Sequence, residues 1–463
     1  MKRFLFCLLF CASKSFAVSD KNFVSSIHAT YQDNTLALKG EVCVHHELGI
    51  LTSEEALLQK PDDHIEAPFS SIHLEKDVRI ALEDGGTLLC EKADLDFIHH
   101  TGSVFGGIKP ILYTTLLQDK GAKKTLLTLQ SNTLSFTFLQ KQDESKAPQY
   151  QLSSLLAKDH VIAIYAEDLS LKADAVSFQG DLLEAFSIEK GSFCYLTYQG
   201  ETIESSKIRV NHNTHCLDLQ DPKGFLATSL LGLKEQGRIH LSCACLHLNQ
   251  QEETLVLEQN VEIQENLFGS LSAKEQMIIQ QKDHKITKID MSGGGIFIHQ
   301  DSSLIYPETM HLDGIKGEIT AKATSEKKLF YADDAFLLQA DDALCTYDLF
   351  SYEIERLLLN GNIKLESNGK DRPIHCGLAD KLTFSPAKAE LVLSSAPGKK
   401  VLFWDKDQNT MISAQEVHIF KNAQTGKTEI KGIGNVKLLL SQEENQLLKN
   451  SFSHLFDQKA LYD

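Results

Sequence analysis

The sequence predicts an all-β chain: an elongated, twisted β-jellyroll or solenoid-like stack of antiparallel strands, with a possible C-terminal helix. Three observations predict it. Apolar residues recur two apart in short segments bounded by turn formers, which marks strands with one buried face. A turn-and-triplet phrase repeats along the chain. Helical spacing stays weak until the last residues.

The alternating segments, in order, are Leu36-Ala37-Leu38, Val42-Cys43-Val44, Val78-Arg79-Ile80, Leu255-Val256-Leu257, Val261-Glu262-Ile263, Ile363-Lys364-Leu365, Leu391-Val392-Leu393 and Val436-Lys437-Leu438. In the repeated phrase a Gly, Lys or Asn, sometimes followed by an acid or amide, leads into an apolar–any–apolar triplet. A small polar residue, Ala or Cys then opens a new apolar stretch. Gly40-Glu41-Val42-Cys43-Val44 begins the series, and Asp77-Val78-Arg79-Ile80 and Asn260-Val261-Glu262-Ile263 repeat it. Gly361-Asn362-Ile363-Lys364-Leu365 and Lys400-Val401-Leu402-Phe403 follow, and Gly434-Asn435-Val436-Lys437-Leu438 opens a last, unfinished copy. Val42 to Val78 is 36 residues, Val261 to Ile296 is 35, Ile363 to Val401 is 38 and Val401 to Val436 is 35. A unit of that length cannot bury its apolar face alone, so the units must stack. An ordinary β-sandwich is the plainer alternative.

The 463 residues suggest either several domains or one repeat array. At 42% hydrophobic the chain can build a substantial core and is not a disordered segment. A dispersed net charge of −17 argues against nucleic acid as a partner and against docking on anionic lipid heads.

Lys2 and Arg3, the apolar run Phe4 to Cys11, and Ser15-Phe16-Ala17 have a signal-peptide layout, so 1–17 is expected to be removed on export. A buried first strand is the plain alternative. Lipidation of Cys11 is another, although Leu8-Leu9-Phe10 lacks the small residue that modification usually wants. No later stretch approaches the length of a membrane span.

The polar run Gln140 to Tyr150 is read as a linker. It would separate an N-terminal β-jellyroll over 18–140 from a longer one over 155–440, whose first part is strand-like but irregular. Beyond it, Ser441-Gln442-Glu443-Glu444 resembles a capping box. Leu448, Phe452, Leu455 and Phe456 then sit at helical spacing. An amphipathic helix or tail over 441–463 would cover an open sheet edge.

Removal of 1–17 leaves eight cysteines of the ten. Cys243-Ala244-Cys245 is the close pair, and it lacks the spacing of a structural zinc site. Single buried thiols are expected, with one or two disulfides as the rival. HExxH, GxSxG and CxxC are absent from the sequence, and Gly426-Lys427-Thr428 lacks the first Gly of a phosphate loop. Gly293-Gly294-Gly295 reads as a tight turn before a strand. His45-His46 and His99-His100 read as solvated turn residues. Asp333-Asp334 and Asp341-Asp342 could serve glycoside chemistry or calcium, but in an acidic chain the expectation is solvation. Trp404 is expected to pack in a core. No enzyme activity, metal or cofactor is expected.

The stretch Leu36 to Leu58, LALKGEVCVHHELGILTSEEALL, resembles the OstA-like family of periplasmic lipopolysaccharide-transport proteins. So do Ala379-Asp380-Lys381-Leu382-Thr383-Phe384 with Ala389 to Leu393, and Met411 to Ile419 ending at Gly434-Asn435-Val436. The resemblance implies a V-shaped pair of sheets open along one side. It implies acyl chains of lipopolysaccharide or a lipid A-like glycolipid inside, and edge-strand pairing with other β-jellyroll transport proteins. Candidate groove walls are Val42, Val44, Val78, Ile80, Val261, Ile263, Ile363, Leu365, Val401, Phe403, Val436 and Leu438. Each buried methylene of an acyl chain would contribute roughly 0.8 kcal/mol. The alternative readings are a ligand-free β-solenoid scaffold of the envelope or surface, and a solenoid carbohydrate hydrolase using Asp333 or Asp341.

Overall fold

A computed structural model describes residues 23–61, 69–83, 85–118, 124–141, 149–165, 169–189, 191–211, 213–228, 237–265, 269–283, 285–299, 302–333, 336–349, 351, 353–367, 375–406, 410–421, 428–438 and 442–452. The expected signal peptide, with Cys7 and Cys11, lies outside these residues. Among them are 39 strands and one α-helix. The fold is all-β and antiparallel, as the alternation predicts.

The repeated phrase turns out to be a backbone corner. Gly40 and Glu41 lie at φ 75° and 47°, and Gly361 and Asn362 at 74° and 49°. Lys76-Asp77, Asp159-His160, Gln259-Asn260, Gly293-Gly294 and Gly434-Asn435 do the same. Two successive left-handed residues swing a strand sharply, which suits Gly, Asn and Asp. The strand therefore pairs with different neighbours before and after the corner. Ile354–Ser367 pairs with Asp342–Tyr347 through Asn360, then with Phe336–Ala340 through its second half. Its register with His375–Ser385 breaks between Asn360 and Ile363. The segments before the corners build one leaf and the segments after them build a second.

The corner is held by amides of the preceding turn. The Asp341 N–H donates to the carbonyls of both Asn360 and Gly361, each at 3.0 Å, and Asn362 donates its side-chain N–H to Asp341 Oδ2 at 2.7 Å. A Cβ on Gly361 would sit 2.4 Å from that Oδ2. The Gly293-Gly294-Gly295 run is a corner too, followed by the strand Gly295–His299 as expected. A Cβ on Gly295 would strike the Ser272 carbonyl oxygen at 1.9 Å.

Between corners the chain runs as hairpins in alternate leaves. Cys245–Asn249 pairs with Thr254–Glu258, the chain turns, and Val261–Glu265 pairs with Gly269–Ala273. Thr254–Glu258 then pairs with Gln276–Lys282, beyond the intervening hairpin. Each hairpin thus adds to the preceding one in its own leaf, which is the stacking that the period requires.

The described chain gathers into two compact units. The first runs to Gln199 and adds Ser206–Asn213; the second takes Gly200–Ser205 and everything from Thr214 onward. This division does not coincide with the expected break at 141–154. Thr133–Lys141 pairs with Gln149–Tyr165 from Thr133 opposite Lys158 to Lys141 opposite Gln149. The polar run joins two paired strands, and a polar connection serves a hairpin as readily as a domain boundary. The C-terminal helix is Gln442–Phe452, with Glu443 and Glu444 in its first turn, where acids favour the helix N-terminus. Leu448 is fully buried. Leu455 and Phe456 fall outside the described residues.

The outer face of the first leaf carries cross-strand histidine–carboxylate pairs. His73 lies opposite Asp94 and His247 opposite Asp218, each pair in hydrogen-bonding contact. His311 lies opposite Asp290, with Nδ1 2.5 Å from Oδ1. The hydrogen bond to Asp94 holds the His73 pKa above the usual histidine range.

Gly361→Ala should lower stability by about 1–3 kcal/mol in a denaturant melt. Gly398→Ala, also at positive φ but with nothing within 4 Å of the added Cβ, should cost less. His73→Gln should cost about 0.5 kcal/mol at pH 5.5, the size of a partly exposed ion pair, and almost nothing at pH 8.5. The sign follows from the raised pKa. The pair's stabilisation is complete below the unfolded pKa and fades as pH rises through the folded one.

Candidate functional site in the apolar interior

Strand alternation sends every second side chain between the leaves. In the first unit one row crosses the second leaf through Val44, Leu51, Ile80, Leu88, Tyr113 and Leu129, each 0–5% exposed. A facing row crosses the first leaf through Leu38, Ala56, Leu74, Ala93, Val104 and Leu134, each 0–3% exposed. Of the expected wall residues, Val42, Val44, Val78, Ile80, Val261, Ile263, Ile363, Leu365, Val401 and Phe403 all lie buried.

Val436 and Leu438 do not. They are 45% and 65% exposed. They follow the last corner, Gly434-Asn435, where a new strand of the second leaf would begin. There the chain makes one bridge, Ser413 to Lys437, before the helix. No further turn stacks on them within the described residues, so the phrase is present but its core is not.

The rim of the first unit is closed by rings. His46 ends the second-leaf half of Thr35–His46, and Phe97 follows the first-leaf half of Thr87–Asp96. Their rings lie 4.1 Å apart, and Phe97 meets Phe138 at 5.9 Å. His46 was expected to be solvated. Instead its Nδ1 accepts the Leu48 N–H at 3.1 Å, and burial lowers its pKa to about 4, so it is neutral. The misreading has a physical cause: the alternation of Val42, Val44 and His46 points all three inward. His99 matches its expectation, exposed and bonded to Asp96 at 2.8 Å.

The second unit is different. The row nearest its corners in the first leaf runs Leu257, Met277, Met291, Met310, Ala321 and Ala343, all buried. The second-leaf row farther from the corners begins and ends buried, at Ile263 and Leu338. Between them Leu271, Phe297, Leu304 and Tyr331 are half-buried. The corresponding first-leaf row is buried at Ile279 and Ile289 and loses cover farther along, at Leu312, Ile319, Cys345 and Leu357, so the two losses overlap in part. The result is an apolar slot over a methionine floor. Methionine is unbranched and adapts its shape to what lies on it. Sequence reading missed this floor, although three of the five methionines within Met277 to Met310 was an available signal.

The other candidates resolve as structural groups. Asp333 accepts the Phe336 N–H at 2.6 Å and the Tyr331 hydroxyl at 2.9 Å. Asp341 fixes a corner and pairs with Lys328 at 2.5 Å; Asp334 lies outside the described residues. Among those residues no group of three His, Cys, Asp or Glu is placed to hold a metal. The eight cysteines outside 1–17 are free thiols. Burial pushes Cys90 up to about 12 and Cys194, Cys345 and Cys376 up to about 11, so none of these is a ready nucleophile. Cys243 donates its S–H to the Cys245 carbonyl at 3.2 Å. Trp404 is half-buried on the face opposite Phe403, with Lys406 over its ring at 5.3 Å, and is not the core residue expected.

No family profile and no curated protein matches this chain. Among solved structures it is similar to LptH of Pseudomonas aeruginosa, described as the LptA-homologous periplasmic component of a lipopolysaccharide transport device. The likeness covers 31% of this chain and 96% of that one, at 8% identity and a TM-score of 0.24. An overlap so slight carries no functional weight.

Leu365→Ala, at a fully buried wall position, should cost about 2–5 kcal/mol in a denaturant melt. Leu438→Ala, at an exposed one, should stay within about 0.5 kcal/mol of the parent.

Proposed function

We propose that this chain is an exported, nonenzymatic lipid carrier of the periplasm. It holds the acyl chains of lipopolysaccharide, or of a lipid A-like glycolipid, in the slot of its second unit. It joins other β-jellyroll transport proteins through its sheet edges. The observation that carries the reading is the loss of cover in both outer rows over overlapping stretches, beside a buried row that holds three methionines. A slot with aliphatic and aromatic walls rewards acyl chains by area, at roughly 0.8 kcal/mol per methylene, and sets no fixed register. Binding of that kind is strong in sum and permits sliding. The sequence resemblance to the lipopolysaccharide-transport family supports the same reading.

A second reading is a structural scaffold with a dry core. It is favoured by the first unit, whose rows are filled and whose rim is closed by His46 and Phe97.

Mass spectrometry of a solvent extract of the protein, purified from its envelope, separates the two. The carrier reading expects stoichiometric acylated glycolipid, and Leu304→Glu in the slot should reduce the yield severalfold without unfolding the chain. A lipid-free protein that also fails to bind added lipopolysaccharide would leave the scaffold.

A further inference from the structure

The C-terminal end of the second leaf is occupied by the chain's own tail. Thr410–Ala414 is the last full strand of that leaf and pairs on one side with Val401–Asp405. Its other edge is met by the tail. The Ser413 N–H donates to the Lys437 carbonyl at 2.9 Å, and the Lys437 N–H returns to Ser413 at 2.8 Å. The Gln415 N–H donates to the carbonyls of Ile433 and Gly434, both at 3.1 Å. The corner at Gly434-Asn435 aims the chain along this edge as every earlier corner does, yet pairing stops after one bridge.

The next described element is the helix Gln442–Phe452. The Ser413 hydroxyl donates to Glu444 Oε1 at 3.1 Å, so the capped residue is also tied to the helix. Phe452 packs against the cluster of Ile305, Phe330, Ala332 and Leu337. Alternation puts Ile305 and Phe330 on the face opposite Leu304 and Tyr331, outside the slot. The helix thus sits on the outer face of the leaf and does not fill the interior. An 11-residue helix is marginal by itself and depends on this docking.

At the opposite end of the chain the first two strands each pair along one edge only, among the described residues. Phe23–Ser25 pairs with Cys43 to His45 in the second leaf, and His28–Gln32, exposed throughout, pairs with Thr35 to Lys39 in the first. Thr428–Ile433, the last strand of the first leaf, is paired with Glu416–Lys421. A head-to-tail join of two copies would match leaf to leaf at every edge except the one the tail covers.

We propose that residues 434–438 together with the helix Gln442–Phe452 are an autoinhibitory cap: the tail blocks addition of a second copy's N-terminal edge strands, and release of the helix opens the joining edge. This rests on the edge-pairing part of the function proposed above. The full-length chain would be compared with Lys437→Pro, which removes the N–H that pairs with Ser413, and with Leu448→Asp, which places a charge on the buried helix face. Two quantities would be read: amide exchange at Ser413 and Gln415, and self-association by sedimentation. The cap predicts faster exchange at both amides and about tenfold tighter self-association in each variant. That gain should be lost when the same chain also carries Ala29→Pro and Thr30→Pro. Faster exchange with unchanged self-association overturns the cap. If the parent already associates as tightly through its N-terminal edge, the cap fails and edge pairing stands. If neither parent nor released chain associates, both fail.

Discussion

The fold depends on one backbone event, two consecutive residues in the left-handed region. An L-residue resists that conformation, and a pair of them is costly unless neighbours fix it. Here the fixing groups are amides from the preceding turn, such as Asp341 and Gln415, each donating to two carbonyls at a corner. The corner is therefore stabilised by the turn on which it stacks. Gly, Asn and Asp suit the left-handed pair itself. The final corner is fixed by Gln415 as the others are; Val436 and Leu438 beyond it lie in solvent because no further turn among the described residues covers them.

Much of this was legible in the sequence. The period, the strand class and the burial of ten of the twelve residues named as candidate walls follow from alternation and from the corner residues. What was not legible follows from the same physics. A triplet such as Val436-Lys437-Leu438 has the right pattern, but burial is a property of the next turn, which pattern cannot supply. His46 reads as polar by type but is inward by parity. The run 140–150 reads as a linker because composition reports a turn without reporting its rank. The methionine floor escaped because it is spread over three strands, so no local window contains it.

The two units use one construction to opposite ends. In the first, facing rows are complete and the rim is closed by His46 and Phe97. In the second, the near-corner rows are as complete, while the farther second-leaf row loses cover from Leu271 to Tyr331 and the farther first-leaf row from Leu312 to Leu357. The near-corner rows are buried along both leaves, so the variation between the units falls on the farther rows.

Hairpins that touch the neighbours of their own leaf have a further consequence. Within each unit stability accrues turn by turn, so turns could be gained or lost in whole steps without disturbing those already stacked. Chain length then becomes an adjustable ruler. An ancestral duplication or deletion of one corner-to-corner module would change reach while leaving the chemistry of every remaining position intact.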